Sequence, residues 1–350
     1  MSCRVFLGPG SLLGIALLAA CAAGDDPTGT PVVAQAPTQP GTSTPLPAPA
    51  PAPAAPAPTA TGGEPTAPAT PPVRFVAMGD TGTGENGQIK IGNAIAAKCA
   101  KDGCDFVQLL GDNLYPSGAA STTDPIWQER FEIPYAAVNL PFYVVLGNHD
   151  YGGDGAGTDF PKGKNEIDYT AVSTKWKLPA AHYKFAKGPA EFFALDTNMA
   201  MFGQAGAQKG DVLTWLADSK AKWKIAFGHH PYKSNGDHGN AGKYDNIPIP
   251  GPWTGKGVKE YLEQTICGRA DVYFSGHDHS QQWLNESCNG TELAVSGAGA
   301  KTTELPGTNA TLFQSLELGF LYVVVEDKKL TAQFIDENGN VEFTHTISKP

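Results

Sequence analysis

Residues 106–115 read FVQLLGDNLY, a stretch that joins a mostly apolar run to a loop with an aspartate and a tyrosine. The apolar run has the length of a buried β-strand, and the glycine after it is typical of a turn. Four other stretches share this arrangement of an apolar run, a glycine and a polar residue that can bind a metal. They are RFVAMGDTG at 74–82, FYVVLGNHD at 142–150, KIAFGHHP at 224–231 and DVYFSGHDH at 271–279.

The residues after these predicted strands carry side chains that bind metal ions. They are Asp80, Asp112, Tyr115, Asn148, His229, His277 and His279. Open α/β sheets place their active sites at the carboxyl ends of strands, so we expect these side chains to meet. Seven donors are too many for one tetrahedral zinc ion and suit two metals that share Asp112. Two adjacent metals are a standard device for displacement at phosphorus, so the pattern predicts a metalloenzyme.

The composition argues against a nucleic-acid partner. The chain has 350 residues, with 35 acidic and 25 basic side chains and a net charge of −10. A surface that neutralises phosphate backbones needs an excess of lysine and arginine, and we find no basic run from Val73 onward.

The first residues have the pattern of an export signal. Arg4 precedes an apolar run at 12–20 that is too short to span a bilayer. The run ends in Leu-Ala-Ala-Cys, which resembles the lipoprotein box of bacteria, so residues 1–21 are predicted to be a lipoprotein signal with Cys21 lipidated. An ordinary secretory signal cleaved near Ala23 is the alternative. We expect an exported bacterial lipoprotein at the outer membrane, in the periplasm or on the cell surface.

The rest of the chain divides into a tether and a catalytic domain. Residues 22–72 are rich in proline, alanine and threonine, a composition that cannot build a core and favours disorder. Residues 73–350 first alternate predicted strands and helices, among them helices at 89–101, 211–220 and 255–265. A possible helix at 125–135 and an antiparallel set of strands near the carboxyl end complete the pattern, which predicts an α/β fold of two packed mixed sheets flanked by helices.

Four cysteines remain in the catalytic domain, and they allow three disulfide pairings. Cys99 and Cys104 flank a short turn, while Cys267 and Cys288 bracket the last histidine motif. We favour the pairings Cys99–Cys104 and Cys267–Cys288. No close pair has the CxxC spacing that is common in zinc sites.

The five motifs in this order resemble those of purple acid phosphatases, within the calcineurin-like metallophosphoesterases. The likeness covers Val73 to about Lys301, includes LDT at 195–197 and SGAG at 296–299, and is greatest to the small single-domain type. It implies the metallophosphoesterase fold in four layers. It also implies an acid phosphatase that hydrolyses phosphate monoesters with a metal-bound hydroxide.

The resemblance also implies a role for each donor. Asp112 bridges the two metals. The ligands of a ferric ion are Asp80, Tyr115 and His279, and those of a divalent ion (iron, zinc or manganese) are Asn148, His229 and His277. Tyr115 is the residue that distinguishes a ferric ion from a divalent one, because the negative charge of a tyrosinate balances the charge of a trivalent ion. A ferric ion acidifies bound water strongly, so an acidic pH optimum is expected.

Two further histidines are expected to face the substrate. By resemblance, His149 and His238 orient the phosphate and protonate the leaving group. His230 follows a ligand directly and is expected to point away from the metals, as a structural residue or a support for the ligands. Asp150 and Asp278 are expected to orient the backbone or neighbouring histidines.

Two alternative functions stay open. One is a phosphodiesterase or nucleotide hydrolase with the same metal centre, and the other is a lipid-tethered surface protein that binds phosphate without catalysis. The expected partners are small phosphate esters and, through the lipid anchor only, a membrane; the chain is expected to be a monomer. Mammalian relatives carry a long loop after the LDT motif, and cutting it raises their activity. Here only 13 residues, 198–210, precede the next predicted helix, too few to close over a metal site. We therefore expect an open site, full activity without proteolysis and broad use of small phosphomonoesters.

Overall fold

The computed structural model describes residues 70–350, which form fourteen strands and five α-helices. The strands are β1 Val73–Met78, β2 Phe106–Leu109, β3 Phe142–Val144, β4 Trp176–Lys177, β5 Tyr183–Lys187, β6 Ala190–Ala194, β7 Trp223–Phe227, β8 Val272–Ser275, β9 Gln281–Leu284, β10 Glu292–Ser296, β11 Thr311–Ser315, β12 Gly319–Val325, β13 Lys329–Asp336 and β14 Val341–Ser348. The helices are α1 Asn86–Asp102, α2 Gly163–Tyr169, α3 Thr197–Met201, α4 Gly206–Asp218 and α5 Lys256–Thr265.

The predictions for the amino-terminal part lie outside the described residues. These are the signal at 1–21 with Cys21, and all but the last three residues of the tether at 22–72. Within residues 70–350, no helix is both long enough and apolar enough to cross a membrane.

The strands form two mixed sheets of seven strands each. The first has the order β14-β13-β12-β1-β2-β3-β4, and the second has the order β11-β9-β10-β8-β7-β6-β5. In the first sheet β1 to β4 run parallel, and in the second β6, β7, β8 and β10 run parallel. The sequence predicts the meander β12–β14 as part of a separate antiparallel set, but β12 pairs with β1 and extends the first sheet.

The two sheets face each other across an aromatic core. Phe75 of β1 contacts Phe192 of β6 edge to face, with ring centroids 5.3 Å apart. Phe106 of β2 contacts the same ring at 5.2 Å. Burying a side chain of this size contributes about 1.5–3 kcal/mol, so these contacts hold the sheets together. The predicted fold of two packed mixed sheets flanked by helices is confirmed.

The outer face of the second sheet is also buried, because helices α3 to α5 cover it. Phe192 faces the other sheet, while the next residue, Phe193, packs in a separate core with Val212 of α4 and Val258 of α5. Successive side chains of a strand point to opposite faces, so a strand covered on both faces reads as a continuous apolar run. This explains why these strands are recognisable in the sequence.

Some element boundaries differ from the prediction. Helix α4 begins at Gly206 rather than near Asp211. The unpredicted helix α3 begins after Asp196, whose side chain accepts a hydrogen bond from the backbone N–H of Met199 and caps the helix. The possible helix at 125–135 is a helical segment that includes a π-helical turn at Gln128–Glu132.

Both favoured disulfide pairings are confirmed. Cys99 bonds to Cys104, which joins the last turn of α1 to the start of β2. Cys267 bonds to Cys288, which joins the end of the α5 region to the loop between β9 and β10.

Candidate metal centre

Glycines at the strand ends let loops from both sheets approach each other closely. A Cβ atom on Gly147, after β3, would lie 2.2 Å from Asp112 Oδ1 in the loop after β2. A Cβ atom on Gly276, after β8 of the second sheet, would lie 2.5 Å from Asp80 Oδ2 after β1 of the first. Only glycine fits at such approaches. The carboxyl ends of the parallel strands of both sheets therefore converge.

Three of the predicted ligands have a left-handed backbone conformation, which residues other than glycine rarely adopt. The φ angle is 60° at Asp80, 52° at Asp112 and 71° at His277. Such a conformation costs about 1–3 kcal/mol per residue and clusters at functional sites. The backbone N–H of His277 donates to Asp80 Oδ2 at 2.8 Å, so the strained segments also orient one another.

One group of donors consists of Asp80, Tyr115 and His279. The Tyr115 hydroxyl donates to Asp80 Oδ1 at 3.2 Å and lies 3.2 Å from His279 Nε2. His279 Nε2 in turn lies 3.6 Å from Asp80 Oδ1. These are the three side chains that the resemblance assigns to a ferric ion.

A second group consists of Asn148, His229 and His277. His229 Nε2 lies 2.9 Å from Asn148 Oδ1 and 3.1 Å from His277 Nδ1. The other ring nitrogen of His229 lies 2.9 Å from the carbonyl oxygen of Leu110, to which it donates. That bond directs Nε2 toward the other donors.

Asp112 lies between the two groups. Its Oδ1 is 3.4 Å from His229 Nε2, and donor atoms of Asp80, Asp112 and His229 all lie within 4.8 Å of one another. Donors that bind one metal at ~2.0–2.2 Å are about 3 Å apart, which matches the spacing within each group. The structure thus brings together all seven side chains predicted as ligands.

The acidic side chains of this site suit cations. Burial, together with the charges of Asp112 and Asp80, raises the pKa of Tyr115 well above its ordinary value. Burial also opposes the charge on Asp112, but the imidazoles of His229 and His149 outweigh it and lower the pKa of that carboxyl. Buried carboxylates beside a phenol are costly unless positive charge compensates them, so this donor set fits metal ions.

The imidazoles fit metal ions as well. Burial lowers the pKa of His277 well below its ordinary value, and the neighbouring His238 and His230 lower it further. His277 is therefore neutral, which is the form of imidazole that binds a metal.

Asp150 joins the loops that carry the donors. Its Oδ1 accepts the backbone N–H of Asn113 at 2.9 Å and of Leu114 at 3.2 Å. Its Oδ2 accepts the backbone N–H of Gly147 at 2.7 Å. The loops after β2 and β3 are thus tied together, and the prediction that Asp150 orients backbone is confirmed.

Asn113 and Glu166 complete this support, and the sequence analysis did not single them out. Asn113 Nδ2 donates to Asp150 Oδ2 and to the carbonyl oxygen of Val145, both at 2.9 Å. Glu166 of α2 is fully buried beside them, and burial with the nearby Asp150 charge raises its pKa well above the ordinary value. Glu166 is distant in sequence from the motifs, so only the folded chain shows its position.

His149 lies at the edge of the donor cluster. Its Nδ1 is 2.6 Å from the carbonyl oxygen of Pro116, to which it donates. The other nitrogen, Nε2, lies 3.9 Å from Asp112 Oδ2. The ring therefore presents Nε2 to the site and is anchored through Nδ1.

His238 lies over the ring of a predicted ligand, His277. Its ring stacks on that of His277 with centroids 4.0 Å apart, and its Nδ1 lies 2.8 Å from Asp245 Oδ1. The backbone N–H of His238 donates to Asp278 Oδ1 at 2.8 Å, which confirms the orienting role predicted for Asp278. Burial opposes the charge on His238, but Asp245 and Asp278 outweigh it and raise the pKa.

His230 does not point away from the site, so its predicted direction is wrong, although its Nδ1 lies 2.9 Å from Thr197 Oγ1, which fits the predicted structural or supporting role. Its ring centroid is 4.6 Å from that of His277, and nitrogens of His229, His230 and His277 lie within 4.8 Å of one another. Strand β7 ends at Phe227, so the alternation of a strand no longer applies. The backbone N–H groups of both His229 and His230 donate to Thr197 Oγ1 instead.

The sequence profile of the calcineurin-like phosphoesterases matches residues 73–281, more than half of the chain and all five motifs. The chain belongs to the calcineurin-like phosphoesterase family. It is therefore a metallophosphoesterase, and the converging donors lie where its five motifs meet.

Two acid phosphatases show how similar this phosphoesterase is to characterised relatives. Tartrate-resistant acid phosphatase type 5 of Mus musculus is 28% identical over 325 residues, which cover 81% of this chain and 92% of that protein. Purple acid phosphatase 3 of Arabidopsis thaliana is 28% identical over 297 residues, which cover 77% of this chain and 76% of that protein. Together with the donor cluster, these similarities imply a dimetal centre.

Solved structures share the fold at lower identity. GAP50, the anchor in the inner membrane complex of Plasmodium, has a TM-score of 0.64 at 20% identity, covering 80% of this chain and 89% of that chain. A purple acid phosphatase from yellow lupin (Lupinus luteus) seeds has a TM-score of 0.61 at 18% identity, covering 80% of this chain and 54% of that chain. These likenesses agree with the metallophosphoesterase fold.

Lys301 is a further neighbour of the site that the sequence analysis did not identify. Its Nζ lies 4.1 Å from the centroid of the Tyr115 ring, a distance at which a cation and an aromatic face attract. The residue lies two positions after the SGAG motif, but nothing in the sequence shows that its side chain reaches over Tyr115.

Proposed function

We propose that this phosphoesterase hydrolyses phosphate monoesters at a pair of metal ions, as an acid phosphatase. The observation that carries the proposal is the arrangement of seven donors in two groups with Asp112 between them. When bound, such a metal pair activates water and neutralises the phosphoryl oxygens during displacement at phosphorus.

We propose a ferric ion in the group of Asp80, Tyr115 and His279, and a divalent iron, zinc or manganese ion in the group of Asn148, His229 and His277. Tyr115 supports this choice. Its hydroxyl lies 3.2 Å from both Asp80 Oδ1 and His279 Nε2, and because burial raises its pKa, forming the tyrosinate there requires positive charge nearby. A trivalent ion supplies more such charge than a divalent one.

The remaining roles belong to two histidines at the edges of the donor cluster. The Nδ1 bond to Pro116 fixes the ring of His149, so Nε2 is the atom that holds a proton for the leaving oxygen. His238 lines the cleft beside Asn148 and His277, where it orients the phosphate group. Positioning of this kind lowers the entropic part of the barrier.

The test compares two substrates of matched chemistry after metal analysis of protein purified without chelator. A phosphomonoesterase will hydrolyse p-nitrophenyl phosphate much faster than bis(p-nitrophenyl) phosphate and will contain about two metals per chain. Faster hydrolysis of the diester would indicate a phosphodiesterase instead. Bound metals with hydrolysis of neither compound would indicate a protein that only binds phosphate.

The ferric assignment has a test of its own in the visible spectrum. Tyrosinate bound to ferric iron absorbs visible light, so the protein should be coloured and Tyr115→Phe should lose the colour. A colourless, fully active enzyme with two zinc or manganese ions would reject the ferric ion while leaving phosphoester hydrolysis intact.

A further inference from the structure

A cleft beside the donor cluster has an apolar side that the proposed chemistry does not use. It is lined by Asn148, His238 and His277 and also by the less polar Ala156, Met201, Tyr244 and Trp253, of which Tyr244 has its ring centroid 5.7 Å from that of His277. Its volume is about 80 Å³, smaller than the ~300–1,000 Å³ usual for ligand pockets, and it opens to solvent, so only a small group fits within it. The cleft therefore suits a small ester with an apolar part.

Trp253 differs from the other tryptophans of the chain in its exposure. Four of the six tryptophans are at most 1% exposed and Trp215 is partly buried, whereas Trp253 is 46% exposed. The exposed part of a tryptophan side chain does not contribute to the stability of the core. Large aromatic side chains left at the mouth of a cleft are typical of ligand contacts.

The ring of Trp253 is held in place although it is exposed. Its Nε1–H donates to the carbonyl oxygen of Ala156 at 3.1 Å. The ring of Phe202, at the end of α3, meets it edge to face at a centroid distance of 5.7 Å. A ring fixed from two sides loses little conformational entropy when it binds a ligand.

The position of Trp253 is coupled to that of a predicted metal ligand. Ala156 lies in a glycine-rich loop, and the carbonyl oxygen of the preceding Gly155 accepts a hydrogen bond from Asn148 Nδ2 at 2.8 Å. A Cβ atom on Gly155 would lie 2.6 Å from His149 Cε1, so this loop lies directly against the proposed proton donor. The loop sets the distance between the indole ring and the reacting centre.

We infer that Trp253 is a specificity-determining residue that binds an aromatic leaving group of the phosphate ester. The inference rests on the proposed function, because the phosphate must occupy the metal side of the cleft. An aryl ring attached directly to the ester oxygen then lies on the apolar side beside the indole. Contact between two aromatic rings contributes roughly three- to tenfold in affinity beyond the buried area.

The test compares matched aryl and alkyl esters in three proteins: the wild type, Trp253→Ala and Trp253→Phe. The aryl esters are phenyl phosphate and phosphotyrosine, and the alkyl esters are glycerol phosphate and phosphoserine. Trp253→Ala should raise KM for the aryl esters roughly three- to tenfold and leave KM for the alkyl esters within about twofold. Trp253→Phe lacks the bond to Ala156 but keeps an aromatic ring, so it should retain most of the aryl preference.

Val341→Ala on β14 serves as the control, because Val341 is exposed to a similar extent, 48%, and is not among the residues that line the cleft. The Val341→Ala variant should leave KM unchanged for both the aryl and the alkyl esters. An equal loss for aryl and alkyl esters in Trp253→Ala would show that the residue only supports the loop at 152–157. Unchanged KM values for both kinds of ester in Trp253→Ala would show that the ring does not contact the substrate.

A binding measurement separates this inference from the proposed function. Phenylphosphonate and methylphosphonate cannot be hydrolysed, and calorimetry gives their Kd even for an inactive protein. The wild type should bind phenylphosphonate more tightly, and Trp253→Ala should remove the difference. Failure to hydrolyse any monoester would reject the proposed function, whereas equal affinities in the wild type would reject the role of Trp253.

Discussion

Asn148 and His149 are adjacent in sequence, but their side chains contact different parts of the site. Asn148 Oδ1 lies 2.9 Å from His229 Nε2, within a donor group. His149 Nδ1 bonds to Pro116, and its Nε2 is 3.9 Å from the nearer oxygen of the Asp112 carboxylate. One residue is thus placed to hold a metal and the other to act on the substrate.

Substitution should separate these two roles. Asn148→Ala or His229→Ala should lower both the content of the divalent metal and the rate, because a ligand is lost. His149→Ala should keep both metals and lower kcat by ~10²–10⁴, the usual contribution of a positioned proton donor. Metal analysis and rates on the same samples check this, and loss of metal from the His149 variant in proportion to its activity would contradict the division.

The sequence shows the donors, and Asp150 and Asp278 within the same motifs, but it does not show the other residues that orient the donors. Asp112 and His229 are visible because each follows an apolar run and a glycine. Thr197, which accepts the backbone N–H groups of His229 and His230, comes from a different strand end. The positions of Glu166, on α2, and of Trp253 next to the site depend on tertiary packing, and no local sequence pattern encodes them.

The two disulfides close loops of different length and should stabilise the protein to different extents. The bond Cys267–Cys288 spans 21 positions and the bond Cys99–Cys104 spans 5. Replacing both cysteines of the longer loop by alanine should lower the free energy of unfolding by about 3 kcal/mol, against about 2 kcal/mol for the shorter loop. Urea denaturation of the two double variants tests the order, and a larger loss from the shorter loop would contradict it.

The connection after β6 is shorter than the sequence predicts. Helices α3 and α4 leave only residues 202–205 between them, because α4 begins at Gly206. Four residues cannot fold over the metal donors. The short connection in the structure therefore supports the expectation of an open site more strongly than the sequence alone does.

Proteolysis in this region should not activate the enzyme. The segment 197–208 contains no lysine or arginine, so trypsin has no target there, whereas chymotrypsin can cut after Phe202. We expect the rate with p-nitrophenyl phosphate to stay constant or fall after limited digestion with either protease. Mass spectrometry locates the cuts, and a marked rise in rate after a cut at this connection would show that it gates the site.

The elements that the sequence predicts best are those buried on both faces. In β2 and β8, three of the four residues are aliphatic or aromatic and all four are buried, a composition that covering layers on both sides favour. Strand β9 at Gln281–Leu284 has two glutamines, and β11 at Thr311–Ser315 is partly exposed, so neither has a clear pattern. Strand β4 has two residues, too few to show any periodicity.

For the chain as a whole we propose a catalytic domain at 73–350 joined by the tether at 22–72 to a lipidated Cys21. The basis is the sequence alone, since these amino-terminal features lie outside the described residues. Cys21→Ser should move the protein from the membrane fraction to the soluble fraction and leave its specific activity unchanged. Fractionation of cells that express either form is the measurement, and equal partition of the two would favour a cleaved secretory signal.

The pairing of β1 with β12 affects how the chain folds while it is being made. The ribosome releases β1 early, but its antiparallel neighbour follows only after most of the chain has been synthesised. Until then one edge of β1 has unpaired backbone groups, and such edges attract other strands. The loop with Asp80 follows this strand, so a nascent or truncated polypeptide that ends before Gly319 has an unfinished sheet beside its metal site. Both edges of the strand that leads into Asp80 are therefore paired only once β12 has been synthesised.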